Sequence, residues 1–152
     1  VVYWRAMLLA IDVGNTNLHL GVYLQGKLLD TWRVRTERER TGDEHGILVR
    51  SLLETAGIEL GQIGAVAISN VVPPLAPALR LFARRYLKLE PAFLGEAIRP
   101  AIPIRYQPPT AVGADRLADA VAVLRHYGAP AVVVDFGTAT TFDAISAGSE
   151  YL

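Results

Sequence analysis

The sequence predicts an α/β fold built in layers. Three observations predict it. Strand-like runs fill the first 35 residues, amphipathic helix patterns then alternate with short apolar runs, and turn or capping residues separate the segments. The chain has 152 residues, 51% apolar and 20% charged, so it can bury a core and is not a disordered chain.

Leu8–Val13 is a short apolar run suited to a central strand buried on both faces. Gly14-Asn15-Thr16-Asn17 is a turn cluster. Leu18, Leu20, Val22 and Leu24 alternate with His19, Gly21 and Tyr23 in a second strand. After the turn at Gln25-Gly26, Lys27–Arg35 alternates again, with Leu28, Asp30, Trp32 and Val34 on one face. The three runs form an antiparallel meander. Thr36–Arg40 is a charged connector, and Thr41 with Glu44 three residues on matches a capping box.

The helix that follows carries Leu48, Leu52 and Leu53 to one side and stops at Gly57. Ala65–Ser69 is a strand. Pro73-Pro74 opens a second helix with the stripe Leu75, Leu79, Phe82 and Tyr86, and Ala92–Leu94 is a last short strand. Arg99–Pro109, with four prolines, reads as an extended linker. A third helix over Gly113–Tyr127 places Leu117, Val121 and Leu124 on one face. Ala131–Val134 is a strand, Asp135–Thr138 a turn and Ala139–Ile145 another strand.

Composition narrows function. Lysine plus arginine equal aspartate plus glutamate at 15 each, which argues against a nucleic-acid binder working through a broad basic field. With no cysteine, disulfides, cysteine–zinc sites and thiol nucleophiles are excluded, and a reducing cytoplasm is compatible. Runs such as Ala129–Val134 fall far short of the roughly 20 residues a membrane helix needs, so no membrane partner is expected. Asp12 interrupts the first apolar stretch, which is unlike a signal peptide. Val1–Ala6 precede the single methionine, Met7, and read as an upstream or appended extension.

Two Asp-x-Gly turns could carry chemistry. Asp12–Asn17 joins two strands through a glycine that lets a ligand approach, and Asn15, Thr16 and Asn17 add donors of the kind that hold phosphate oxygens. Asp12 could hold magnesium through water. The same residues are also ordinary hairpin residues. Asp135–Thr141 echoes the pattern, with Asp135 for a metal ion and Thr138, Thr140 and Thr141 as hydroxyls, or merely as strand formers. The triplet Asp135-Phe136-Gly137 lacks every companion motif of a protein kinase.

Gly113-Ala114-Asp115-Arg116 lies at a helix start, where the dipole favours a negative charge. Asp115 suits a general base that takes a hydroxyl proton during phosphoryl transfer, and Arg116 suits a carboxylate or phosphoryl oxygen. The alternative is an N-terminal charge beside a surface arginine. His19, His45 and His126 show no metal-ligand spacing, and Arg84-Arg85 reads as a solvated face. Walker and dinucleotide glycine motifs are absent.

In combination these motifs are specific. Asp12–Asn17, Gly113–Arg116 and Asp135–Thr141 stand in order, with Tyr106-Gln107-Pro108-Pro109 before the second. From Met7 to Leu152 the chain closely resembles the type III pantothenate kinase family, of the acetate kinase, sugar kinase, Hsp70 and actin superfamily. The resemblance implies a ribonuclease H-like (actin-like ATPase) fold. Residues 7–98 would form a first domain, 99–112 a linker and 113–152 the start of an incomplete second domain. It implies phosphorylation of pantothenate by ATP, the first step of coenzyme A biosynthesis, in a cytoplasmic homodimer.

The resemblance further assigns ATP phosphates to Asp12, Val13, Gly14, Asn15, Thr16, Asn17, Leu18 and His19, with Thr138 contributing. It assigns pantothenate to Tyr106, Gly113, Ala114, Asp115 and Arg116. Asp115 would be the catalytic base, Asp135 would hold potassium or ammonium, and magnesium would accompany ATP near Asp12. Family members are longer, so the chain alone reads as a fragment, active or inactive. Two alternatives stand beside this reading: a non-catalytic regulatory relative, and another small-molecule kinase of the superfamily.

Overall fold

The first uninterrupted apolar run becomes β1 (Met7–Val13), the central strand of a five-stranded sheet. The computed structural model describes residues 6–152, so the extension expected over Val1–Ala6 lies, except for Ala6, outside the described residues. The chain divides into two compact units, one ending at Phe93 and the other spanning Leu94–Leu152.

In the first unit β1 pairs antiparallel with β2 (Asn17–Leu24), which pairs antiparallel with β3 (Lys27–Arg35). On its other side β1 runs parallel to β4 (Ile63–Asn70), and β4 parallel to β5 (Ala92–Phe93). The sheet order is therefore β3-β2-β1-β4-β5. Register follows from apolar alternation. Leu9 faces Val22 and Val66, and Ile11 faces Leu20 and Ile68, so all six residues share one face and are almost wholly buried. Trp32 and Val34 extend that face on β3.

One expectation is corrected here. The sequence reads Leu8–Val13 as buried on both sides, yet Leu8, Ala10 and Asp12 on the alternate face are only half-buried. Full coverage in this unit belongs to the face that holds Leu9, Ile11 and Val13.

Helix α1 (Gly42–Thr55) starts at a complete capping box. The Thr41 hydroxyl accepts the Glu44 amide, and the Glu44 carboxylate accepts the Thr41 amide at 2.7 Å. Helix α2 (Ala76–Phe82) opens behind Pro73-Pro74 and buries Leu79 and Phe82, with Leu75 just before it. The α1 stripe is rotated from the predicted one: His45, Val49 and Leu53 are buried, Leu48 only half-buried. Gly42 and Gly46 explain the rotation. Each lies against α2 or its continuation so closely that a Cβ would meet Leu81 or Tyr86, so the glycine side faces inward.

The second unit contains α3 (Ala114–His126) and the antiparallel pair β6 (Ala131–Phe136) and β7 (Thr140–Ile145). Its core gathers Ile102, Ala120, Ile145 and Tyr151, with Ile104, Val121 and Leu124 partly buried around them. Residues 99–112, expected as a linker, thus contribute to this unit's own core. Ile102 is buried between two prolyl positions, and the Arg105 amide donates to the Tyr151 carbonyl at 2.7 Å. The prolines keep the segment extended without forcing it into solvent. Asp135 and Phe136 likewise belong to β6, which narrows the turn to the residues around Thr138.

Candidate active site

The first predicted turn is a hairpin tip at the carboxyl end of β1. Asp12 is the penultimate residue of that strand, paired with His19 on β2 and Ser69 on β4. Carboxyl ends of adjacent parallel strands are where open α/β sheets bind ligands. The Gly14 amide donates to the Asn17 carbonyl at 3.0 Å and closes the turn. A Cβ at Gly14 would approach that carbonyl oxygen to 3.0 Å, so the tightness of the turn favours glycine. Asn15 and Thr16 are exposed at the tip.

Val13 and Leu18, expected among the phosphate-binding residues, point their side chains into the core at 0% and 1% exposure. Neither side chain is therefore open to a ligand. His19 is exposed and Asn17 half-buried.

Two tip contacts went unread in the sequence. Thr36, in the charged connector, is buried and donates its hydroxyl to the Gly14 carbonyl at 2.7 Å. Its amide donates to the Thr16 carbonyl at 2.9 Å. Arg38 donates from Nη2 to the Asn15 side-chain oxygen at 3.2 Å, which brings a cation to the hairpin tip. The connector's charge was the only signal for Arg38, and nothing local marks Thr36.

The second unit holds the other predicted residues. Gly113 caps α3, and Asp115 and Arg116 sit in its first turn. The Arg116 amide donates to Asp115 Oδ1 at 2.8 Å, so the carboxylate lies against the helix N-terminus. Arg116 Nη1 donates to Asp143 Oδ1 at 3.2 Å. Hydrogen bonding to Tyr151 and the nearby carboxylates hold the Arg116 pKa above its ordinary value. Tyr106 is half exposed. Asp135 is exposed on β6, opposite Thr141, and the Gly137 amide donates to the Ala139 carbonyl at 3.2 Å.

The donor sets can be tested against metal ions. Among the described residues no three His, Asp or Glu side chains come together as a ready ligand cluster. Magnesium is commonly held by one or two carboxylates together with water and phosphate oxygens. The Asp12 carboxylate, on the penultimate residue of β1, is a hard oxygen donor of the kind that arrangement uses.

The sheet order and its mixed pairing define the class as a ribonuclease H-like fold of the actin-like ATPases. Solved structures agree at the level of the fold. A reductive activator for a corrinoid, iron–sulfur protein aligns with 96% of this chain and 30% of its own at TM-score 0.60 and 18% identity. The inorganic polyphosphate/ATP-glucomannokinase of an Arthrobacter strain aligns with 97% of this chain and 60% of its own at TM-score 0.51 and 18% identity.

Sequence comparison then specifies the family. The type III pantothenate kinase model matches residues 8–152. The type III pantothenate kinase of Myxococcus xanthus is 51% identical over 146 residues, covering 96% of this chain and 57% of the relative. That of Syntrophobacter fumaroxidans is 47% identical over the same length. The chain belongs to the type III pantothenate kinase family, and it spans a little over half the length of these relatives.

Proposed function

We propose that this protein transfers the γ-phosphoryl group of ATP to the primary hydroxyl of pantothenate, giving 4'-phosphopantothenate and ADP at the first step of coenzyme A biosynthesis. The observation that carries the reading is the family match over residues 8–152, which includes an aspartate–arginine pair in the first turn of α3. The hydroxyl oxygen attacks the γ-phosphorus, the bond to the ADP oxygen breaks, and the hydroxyl proton passes to the Asp115 carboxylate.

In this reading the Asp12–His19 hairpin tip and Thr138 hold ATP phosphates, and Tyr106 and Gly113–Arg116 hold pantothenate. Magnesium would be held near Asp12 and a potassium or ammonium ion by Asp135. These ions would supply charge neutralisation for the phosphates. The protein would work as a cytoplasmic homodimer. The neutral net charge fits, because local turns and ions suffice to hold the nucleotide.

The test is formation of phosphopantothenate by the protein carrying this chain, with ATP, magnesium and potassium supplied, read by mass spectrometry. Pantothenate should be phosphorylated and glucose should not. Asp115→Asn keeps the shape and an acceptor for the Arg116 amide but loses basicity, so turnover should fall by about 10²-fold or more. Absence of product overturns the function, and unchanged turnover in Asp115→Asn overturns the assigned base.

A further inference from the structure

Asp143 is an acidic residue that the reading above does not use, and its side chain is only 1% exposed. It lies on β7 opposite Val133. Its Oδ1 accepts both the Tyr151 hydroxyl and Arg116 Nη1. Its Oδ2 is buried with no hydrogen-bond partner among the described residues. Arg116 reaches it from the first turn of α3, and its side chain remains 39% exposed.

This is a costly way to hold a unit together. A buried carboxylate loses its hydration, and replacing a buried ion pair by apolar groups is often neutral or stabilising. What the pair does deliver is orientation. An arginine at the surface samples many rotamers, whereas a guanidinium bonded to a fixed carboxylate presents its remaining donors in one plane. Tyr151 is buried, and both its own burial and the Asp143 bond raise its pKa, so it stays a donor and holds the carboxylate in place.

We propose that Asp143, braced by Tyr151, is a positioning residue that fixes the Arg116 guanidinium to receive an anionic oxygen of the substrate. The proposal rests on the pantothenate kinase reading for the identity of that substrate. Asp143 touches no reacting atom and acts through Arg116.

The test is a double-mutant cycle of Asp143→Asn with Arg116→Lys, read in the steady-state kinetics of pantothenate phosphorylation. Loss of one charge-assisted bond should lower kcat/KM for pantothenate about tenfold in Asp143→Asn. The same change should have little further effect in the Arg116→Lys background. A rise in KM would identify the pantothenate carboxylate as the anion, and a fall in kcat the phosphoryl group in transfer. Additive effects in the cycle overturn the proposal.

A second readout uses the 152-residue chain without ligand. The Arg116 Nε–H order parameter, measured by NMR, should be high, should fall in Asp143→Asn, and should fall less in Tyr151→Phe, which keeps the charge pair. An Arg116 side chain already disordered in the unmodified chain overturns the proposal. If no phosphopantothenate forms at all, the functional reading fails, and the order parameter still decides whether Asp143 positions Arg116. Tyr151→Phe serves the kinetic test as well if Asp143→Asn does not fold, with a smaller change in the same direction.

Discussion

Thr36 and Gly14 are joined by a 2.7 Å hydrogen bond from the threonine hydroxyl to the glycine carbonyl, 22 residues apart in the chain. Together with the Thr36 amide bond to Thr16, this ties the end of β3 to the hairpin tip. Thr36→Val keeps the branched shape and removes the hydroxyl, which leaves a part-buried carbonyl without that donor. The expected loss is about 1–2 kcal/mol of stability, read as a lower urea midpoint at unchanged slope. If the tip cradles ATP phosphates, ATP affinity should fall severalfold as well. An unchanged midpoint would show that the bond adds nothing to the fold.

Gly46 tests how closely α1 and the end of the second helix approach. Helix propensity alone favours alanine there by about 1 kcal/mol. Against that, an added Cβ would overlap the ring carbons of Tyr86. The ring has little room to yield, because its hydroxyl donates to Asp43 Oδ1 at 3.0 Å. Overpacking of about 1–3 kcal/mol should therefore outweigh the propensity gain. Gly46→Ala should lower the unfolding midpoint, and adding Tyr86→Leu should recover part of the loss. A stabilised Gly46→Ala would mean that the helices separate at little cost.

The capping box at Thr41 and Glu44 predicts both a stability loss and a pH dependence. Thr41→Ala removes the oxygen that accepts the Glu44 amide, at about 1 kcal/mol. Bonds from the Thr41 amide and hydroxyl hold the Glu44 carboxyl below its ordinary pKa of 4.5. Its contribution is present above pH 4.5 and is lost as the pH falls through the lowered value. In Glu44→Gln that acid-side loss should disappear from a urea titration against pH. A slope identical to the parent's would remove Glu44 from the account.

What the sequence reveals is what is local. The meander, the capping box and the proline-opened helix are each written within a few consecutive residues, and each forms at the expected place. The Asp12–Asn17 tip and the Asp115-Arg116 helix start are local in the same way. What stayed hidden depends on distant pairs. Thr36 looks like one more connector residue until it meets Gly14, and Asp143 looks like a strand residue until Arg116 and Tyr151 converge on it. The α1 stripe departs from its leucines because Gly42 and Gly46 admit the neighbouring helix and so turn His45 and Val49 inward beside Leu53. Ile102 and Ile104 were hidden by prolines that mark extended backbone without saying whether it is buried.

His45 carries the strongest pH prediction. It is 1% exposed on the inner face of α1, and its Nε2 has no hydrogen-bond partner among the described residues. Burial, helped by the charge of Arg40, pushes its pKa down from 6.5 to about 4. The folded protein thus keeps the ring neutral while the unfolded chain takes up a proton below pH 6.5. Because the unfolded state binds more protons in that window, stability should decline as the pH falls from 6.5 towards 4, by roughly 3 kcal/mol in all. Above pH 6.5 His45 contributes no slope. His45→Leu has a similar volume and no proton to gain, so the difference between its urea stability and the parent's should widen across that window and stay flat above it. A constant difference at every pH would show that the ring titrates in the folded protein as it does in the unfolded chain.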